Sequence, residues 1–264
     1  PVLFGVVIPV LQLGQWAWLN QTEWRAAATL DALGNTLMVA ALSMCVCVAV
    51  AMLFAYGNRF AKGPYTNLLI RIATAGYAIP GSVIAVGIFI PMVWLDVVVA
   101  DAWMAWTGNS PGLLLTGSIV AMVMACSVRF VALSFGHIES GLHSISPSID
   151  DVGRSLGASN VPIMTKLHLP LLRTSVCMAG LMVFADVAKE LPASLLLRPF
   201  NFDTLAIRTF ELANDSRYLE AAPSALLMIA LGAIAIMVFA RQAVWERPKQ
   251  WFGARKMKGQ EVTV

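Results

Sequence analysis

Charged residues are scarce in this chain: only 12% of its 264 residues are Asp, Glu, Lys or Arg, whereas 58% are hydrophobic. Soluble globular domains carry roughly 25% charged residues, so this composition excludes an ordinary soluble domain and indicates a membrane protein. The apolar runs also lack the alternation of polar and apolar residues that is typical of membrane β-barrel strands. Because a helix satisfies its own backbone hydrogen bonds in lipid, we expect a bundle of membrane helices.

Signatures of catalysis are missing as well. The sequence contains no H-E-x-x-H, no G-x-S-x-G and no P-loop, and the serines in its apolar runs have no histidine partner. Its three histidines, His137, His143 and His168, lie in or beside one polar segment. We therefore predict that the chain is not an enzyme and carries no cofactor of its own. The small net charge of +3 gives no reason to expect a nucleic-acid partner.

Cysteine is used sparingly, with four residues that all lie in apolar runs. None has a nearby histidine or acidic residue that could complete a metal site. This pattern predicts buried, inert thiols, without a disulfide framework or a bound metal. The four are Cys45, Cys47, Cys126 and Cys177.

Six apolar runs approach the length of about 20 residues that a membrane-spanning helix needs. The third contains Pro80-Gly81, so it could form one long tilted helix or a broken one. The chain starts at Pro1 without a basic segment in front of an apolar one, so we expect no secretory signal and a start inside a longer chain. The six runs cover about residues 1–19, 32–57, 68–98, 112–136, 171–197 and 222–244.

The lysines and arginines outside these runs predict the orientation. Most of them fall on the side that receives the polar segment 137–170 and the C-terminal tail. The positive-inside rule therefore places this side in the cytoplasm. We expect the basic tail 246–264 to lie near anionic lipid, and a short surface helix to form within 198–221 on the opposite side. Arg71 and Arg129 are interpreted as snorkelling toward the cytoplasmic interface.

The polar segment has the signals of two short helices. Ser148 is predicted as the N-cap of the first, with Asp150 and Asp151 in its first turn, and Gly157 is predicted to end it in a left-handed conformation. The second should start near Asn160 and run to Leu167, before Pro170 opens the next span. Two short helices joined at a glycine make a compact element that suits a groove in a partner protein.

The spacing within this segment resembles the coupling loop of binding-protein-dependent ABC transporter permeases. The family motif reads Glu-Ala-Ala, three residues, Gly, nine residues, Ile-x-Leu-Pro; here Asp151-Val152-Gly153, Gly157 and Leu167-His168-Leu169-Pro170 stand at these places. The resemblance implies an all-α membrane protein with about six transmembrane helices and the type I ABC importer permease fold. It also implies ATPase-coupling residues in this loop. These are Asp151, Arg154, Gly157, Ala158, Leu167 and Pro170.

The same resemblance implies an organisation and a set of partners. Residues 1–31 would form the first span and an outer loop, 32–245 the permease domain with the coupling loop 137–170, and 246–264 a basic cytoplasmic tail. The chain would lie in the bacterial inner membrane. Its partners would be a cytoplasmic ATPase dimer that binds ATP and Mg²⁺, a periplasmic substrate-binding protein, a second permease half in the same longer chain or in a dimer, and membrane lipid.

A narrower resemblance concerns residues 184–211, which look like the ferric iron permeases of this superfamily. The similarity is carried by two runs, Lys189-Glu190-Leu191-Pro192-Ala193 and Leu197-Arg198-Pro199-Phe200-x-Phe202-Asp203-Thr204-Leu205-Ala206. Such permeases contain two homologous halves, and this chain looks like the C-terminal one. The implied function is a translocation path for ferric iron, with other superfamily cargoes (thiamine, sulfate, phosphonate or polyamine) as alternatives.

Three ionisable residues fall inside the fifth apolar run. The spacing of Asp186, Lys189 and Glu190 places them on one helix face, where they could line the path and meet a hard cation. Alternatively, they could form an internal ion cluster that packs helix to helix. An ion-coupled secondary transporter that uses the two carboxylates as proton or cation sites is the remaining functional alternative.

Overall fold

A computed structural model describes residues 3–60, 63–110 and 112–257, without the side chains of 242–257. The described backbone is helical and contains no strand. Pro1 and residues 258–264 of the predicted basic tail lie outside this description. The prediction of an all-α membrane fold is therefore confirmed, and the remaining differences concern where helices begin, break and end.

Five helices are long and apolar enough to cross a membrane. The first predicted span, at Leu3–Leu19, is a shorter apolar helix, which is a π-turn followed by α1 (Ile8–Leu19). The five long spans are α2 (Ala27–Phe60), α4 (Gly81–Thr107), α5 (Ile119–His143), the helix Asn160–Ala188, and Tyr218–Arg241 within α11 (Tyr218–Met257).

The third predicted span is broken. Helix α3 (Pro64–Thr74) passes into a 3-10 turn at Ala75–Ala78, and α4 begins only at Gly81. Pro80 excludes its preceding residue from the helical region, and Ile79 is accordingly extended with ψ 135°. The broken backbone lies against α5: a Cβ added to Gly76 would collide with the carbonyl oxygen of Val128. Gly76 is thereby buried, whereas Ala75 and residues 77–80 remain exposed.

The fourth span begins later than predicted because an acid in α4 binds the loop that precedes this span. Asp96 is buried and accepts three backbone N–H bonds, from Leu114 at 3.0 Å, Leu115 at 2.8 Å and Thr116 at 2.6 Å. These bonds keep the loop out of the helix. Helix α5 starts after its N-cap, Ser118, rather than near residue 112.

The core lies where α2, α5 and the helix leading to Ala188 pack together. Val39, Met122 and Val183 are fully buried there. Small residues let the helices approach closely, since a Cβ on Gly180 would stand 3.1 Å from Met44 Sδ. The prediction of buried thiols is right for two cysteines and wrong for two. Cys47 and Cys126 are buried, whereas Cys45 and Cys177 lie on exposed helix faces.

Candidate functional site

The predicted coupling segment begins with a nine-residue helix, α6 (Pro147–Ser155). Its N-cap is Ser146 rather than Ser148, and the Ser146 hydroxyl accepts the N–H of Ser148 at 3.3 Å. The predicted cap was two residues late because Pro147, whose fixed φ suits a first turn, already belongs to the helix. Asp150 consequently occupies the first turn, where a carboxylate is favourable.

The end of α6 follows the prediction. Gly157 has φ +81° and donates its N–H to the carbonyl of Arg154 at 2.9 Å, while Ala158 donates to Gly153 at 3.0 Å. This pair of bonds is the Schellman arrangement, which requires a left-handed residue just past the helix. Gly157 is needed here for its conformation, because a Cβ built on it would meet open space.

The second half of the segment differs from the prediction. A short helix, α7 (Asn160–Pro162), does begin at Asn160, but it continues through a π-turn at Ile163–His168 into α8 (Leu169–Ala188). Pro170 therefore lies inside a continuous helix instead of opening a new span. The π-turn explains how, because a locally widened turn accommodates a proline that cannot donate a backbone hydrogen bond.

A buried acid that the motif does not contain holds the inner side of α6 against the neighbouring helices. Asp150 receives Arg59 Nε on its Oδ2 at 2.8 Å and His168 Nε2 on its Oδ1 at 2.7 Å. His168 is completely buried, and its ring stacks on Tyr56 with centroids 5.7 Å apart. Because an ionised carboxylate only accepts, Nε2 carries the histidine proton. We call Arg59, Asp150 and His168 the anchor cluster.

The electrostatic environment of the anchor cluster keeps the Asp150 carboxyl ionised. Burial raises the pKa of the Asp150 carboxyl, but the hydrogen bonds from Arg59 and His168 outweigh burial and hold this pKa below its usual range. Asp150 is therefore ionised at neutral pH and compensates the Arg59 guanidinium. The lowered pKa stabilises the folded state at every pH above the ordinary pKa of a carboxyl group. This stabilisation is lost as acidification protonates Asp150.

The outer side of the segment is unusually apolar for a polar loop. Leu156 is 82% exposed, and Val152 and Val161 are also exposed. Asp151, which stands at the motif's acid, is exposed, and its carboxylate pairs with Arg154 of its own helix at 3.4 Å. Of the other predicted coupling residues, Leu167 and Pro170 are exposed and Ala158 is partly buried. An apolar surface with a polar rim is typical of a protein-binding site.

The second predicted site is separated into two ion pairs. Helix α8 ends at Ala188, so Glu190 leaves the face that carries Asp186, and the prediction of a single shared face is wrong. Asp186 pairs with Lys189 at 2.7 Å. The Asp186 side chain is only 19% exposed, whereas the Lys189 side chain is 64% exposed.

Glu190 instead pairs with Arg129, whose Nη1 lies 2.5 Å from Glu190 Oε2. The interpretation of Arg129 as a snorkelling residue is wrong, because this buried carboxylate holds its guanidinium within the bundle. Glu190 Oε1 also accepts the N–H of Ala193, in the first turn of α9 (Pro192–Leu197), at 3.2 Å. A Cβ on Gly81 would collide with the Arg129 guanidinium, so the pair also covers the start of α4. Glu190 thus joins α5, α9 and the broken span.

The opposite end of the bundle carries the predicted surface helix, α10 (Leu205–Asn214). The turn before it is rigid: Arg198 binds both Asp203 and Glu211, and Asn35 on α2 donates to the Asp203 carbonyl at 2.9 Å. This turn presents Phe200, which is 93% exposed. The end of the bundle away from the coupling segment therefore also offers a fixed, apolar contact point.

Comparison with known proteins agrees with this architecture. No family model matches the chain. A chain of a bacterial ABC transporter involved in the import of the acidic polysaccharide alginate matches 94% of this chain with a TM-score of 0.66 and 15% identity. A chain of an amino acid ABC transporter matches 87% with a TM-score of 0.55 and 17% identity. These similarities establish the fold.

Sequence comparison finds permease proteins of transport systems among the relatives of this chain. The Fe(3+)-transport system permease protein FbpB 2 of Haemophilus influenzae is 24% identical over 244 residues, which are 91% of this chain and 45% of that protein. The chain resembles ABC importer permeases. A putative 2-aminoethylphosphonate transport system permease protein, PhnV of Salmonella choleraesuis, is 27% identical over half of each chain. The permease-like chain spans about half the length of the curated relatives that it matches.

The geometry of this permease-like chain adds residues that sequence analysis missed. The sequence places Asp150 only in a helix turn, and His168 only among three histidines and at the unspecified position of the motif's Leu167-His168-Leu169-Pro170. Nothing in the sequence marks Arg59, because its partner Asp150 lies 91 residues away, and the three donors to Asp96 follow it by 18 to 20 residues. A lone acid in an apolar run, such as Asp96, could have been recognised as needing donors.

Proposed function

We propose that this chain is the membrane-spanning permease half of an ABC importer and that it does not hydrolyse ATP itself. One observation carries the proposal: the segment 146–170 exposes an apolar face at Leu156 while the anchor cluster holds its inner side to α2 and α8. A surface docked on a partner and fixed to two spans can transmit a partner's movement. The partner would be a cytoplasmic ATPase dimer that binds ATP and Mg²⁺.

The proposed orientation places the coupling segment and the C-terminal tail in the cytoplasm of a bacterial cell, as the positive-inside rule favours. The turn with Phe200 and helix α10 then face the periplasm and would meet a substrate-binding protein. One of the alginate importer structures is a complex with a substrate-bound periplasmic protein. A second permease half, from the same longer chain or from another copy, would complete the translocation path.

In this function the permease converts a movement of its cytoplasmic coupling segment into a change in the side of the membrane from which the translocation path is open. ATP binding would close the ATPase dimer and displace α6, and the spans would change from inward to outward access. The free energy that drives uptake is then a coupling between the ATP site on the partner and the cargo site on the permease pair. An ion-coupled carrier would have no use for an apolar docking segment of this kind.

The docking face predicts a selective effect on partner binding. Leu156→Asp should abolish co-purification of an ATPase from gently solubilised native membranes, because it places a charge on the apolar surface. Leu156 is so exposed that the change should not disturb the fold. Phe200→Asp is the matched control, since it alters an equally exposed apolar residue at the other end and should retain the ATPase. Absence of any ATPase from the wild type would refute the proposed function.

For the cargo, we propose ferric iron, supported by the relative that matches 91% of the chain. One observation favours a phosphonate as the second candidate. In both ion pairs near the end of α8 the cation is the more exposed partner: the Lys189 side chain is 64% exposed against 19% for Asp186, and the Arg129 side chain 24% against 5% for Glu190. A wall that presents cations suits an anionic cargo, or iron held in an anionic complex, better than a bare cation.

Asp186→Asn tests whether this surface lies in the path. We expect a several-fold loss of radiolabelled ferric iron uptake with little loss of stability, because an ion pair with an exposed lysine contributes only about 0–1 kcal/mol. The control is Glu220→Gln, which breaks a similar i,i+3 pair with Arg217. Equal uptake by Asp186→Asn and the control would exclude a path role for Asp186. Competition by excess 2-aminoethylphosphonate would reassign the cargo.

A further inference from the structure

We propose that Asp150 is the positioning residue through which movement of α6 reaches the membrane spans, and that the exposed motif acid Asp151 does not serve this purpose. The inference rests on the proposed function and names the internal contact that would make coupling work. It follows from what each oxygen of Asp150 binds, from where those partners lie, and from the Asp151 carboxylate having its ion pair, among the described residues, with Arg154 of its own helix.

On one side, Asp150 fastens α6 to α2 and α5 together. Arg59 lies in the last turn of α2 and gives its Nε and Nη2 to the two Asp150 oxygens, at 2.8 and 3.2 Å. The same guanidinium donates to the carbonyl of Leu142 at 2.6 Å, at the end of α5, and to that of Ile145 at 3.2 Å. A planar guanidinium with this many fixed acceptors cannot follow α6 without moving the ends of both spans.

On the other side, Asp150 fastens α6 to the base of α8. His168 lies in the π-turn that leads into α8, and its ring is clamped in a stack with Tyr56 and Phe60 of α2. Gly153 lets α6 lie directly on this turn, since an added Cβ would stand 3.0 Å from Ile163 Cγ1. The carboxylate, the imidazole and the two aromatic rings therefore connect α6, α8 and α2.

Packing contacts alone would not transmit a movement of α6 to the membrane spans. Next to the cluster, a cavity of about 240 Å³ opens between α6 and the ends of α2 and α5, with Arg59, Glu139 and Arg154 on its wall. Side-chain contacts across a cavity yield when one wall moves, whereas a charge-assisted hydrogen bond resists separation because breaking it leaves two mostly buried charges unpaired. Asp151 is exposed and its carboxylate pairs with Arg154 of its own helix, so its link to α2 is the indirect one in which the Arg154 guanidinium lies over the Phe60 ring.

The test uses the complete transporter reconstituted with its ATPase and binding protein, in which wild-type uptake and ATPase association are first measured. Asp150→Asn should retain the ATPase but raise the number of ATP molecules hydrolysed per cargo molecule at least several-fold. His168→Gln, which leaves no uncompensated buried charge, is the second variant and should shift this ratio in the same direction. Glu220→Gln is the control with an unchanged ratio.

Spin labels give an independent readout that a purely structural role would not affect. In wild type, trapping the ATP-bound state should displace labels on α6 and on the cytoplasmic ends of α2 and α8 together. In Asp150→Asn, the α6 label should move without the other two. The proposal is overturned if both variants keep the wild-type ratio and the joint displacement, or if they lose uptake only in proportion to lost complex. Absence of an ATPase from the wild type would instead refute the proposed function.

Discussion

Replacing Gly157 with valine should lower cargo uptake by about tenfold while the chain still reaches the membrane. Gly157 has φ +81° and closes α6 by the bonds between residues 157 and 154 and between 158 and 153. A non-glycine residue pays roughly 1–2 kcal/mol in this conformation, and about 1.4 kcal/mol corresponds to a tenfold change in population. Valine would shift the segment away from the shape that presents Leu156. Uptake and membrane content are measured in the same cells.

Gly157→Asn is the matched control for this experiment, because asparagine tolerates the left-handed region much better than valine. Nothing lies within 4 Å of a Cβ at this position, so neither side chain should clash within the chain. We expect Gly157→Asn to retain most of the uptake. If the two variants lose uptake equally, the glycine is required for space at the docked ATPase and its backbone conformation is not what matters.

The second large effect concerns the ion pair between Arg129 and Glu190. Arg129→Met should destabilise the solubilised chain by about 3 kcal/mol or more, because it leaves the buried Glu190 carboxylate without its counter-charge. The double variant Arg129→Met with Glu190→Leu should recover much of this loss, since no charge is then left unpaired. Thermal unfolding of the detergent-solubilised chain, followed by intrinsic fluorescence, compares the variants.

Lys189→Met provides the comparison within the same region. Its partner Asp186 loses an ion pair that is open to the surroundings on the lysine side, so the expected change is within about 1 kcal/mol. A recovery in the Arg129 and Glu190 double variant, with little effect of Lys189→Met, would show that the cost lies in the unpaired charge. If the double variant is as unstable as Arg129→Met, the Arg129 side chain stabilises the bundle by packing.

The sequence predicts those parts of this fold that depend on local chemistry. Hydropathy locates the spans, and the glycine at 157 predicts both the end of α6 and its left-handed conformation. Two of the errors occur where a distant group overrides a local preference. Asp96 delays α5 by binding 114–116, and Arg129 faces Glu190 instead of the interface because their positions, 61 residues apart, converge in the fold.

The candidate site likewise has one part that the sequence predicts and another that it does not. The exposed face around Leu156 could be inferred from a motif with known spacing, since docking surfaces are carried by short contiguous segments. The anchor cluster could not be inferred, because Arg59, Asp150 and His168 come from three helices and none stands at a position that the motif specifies. A pair of adjacent acids, Asp150 and Asp151, does not reveal which of the two turns inward until the packing of α6 is known.

The carboxylate of Asp96 has a further consequence for how this chain enters the membrane during synthesis. Its three N–H partners follow it by 18 to 20 residues, so α4 emerges from the ribosome before the groups that satisfy its acid exist. An unpaired carboxylate is costly in hydrocarbon. We therefore expect α4 and α5 to leave the translocon as a pair, with 112–118 folding back onto Asp96 as the step that commits both helices to the lipid.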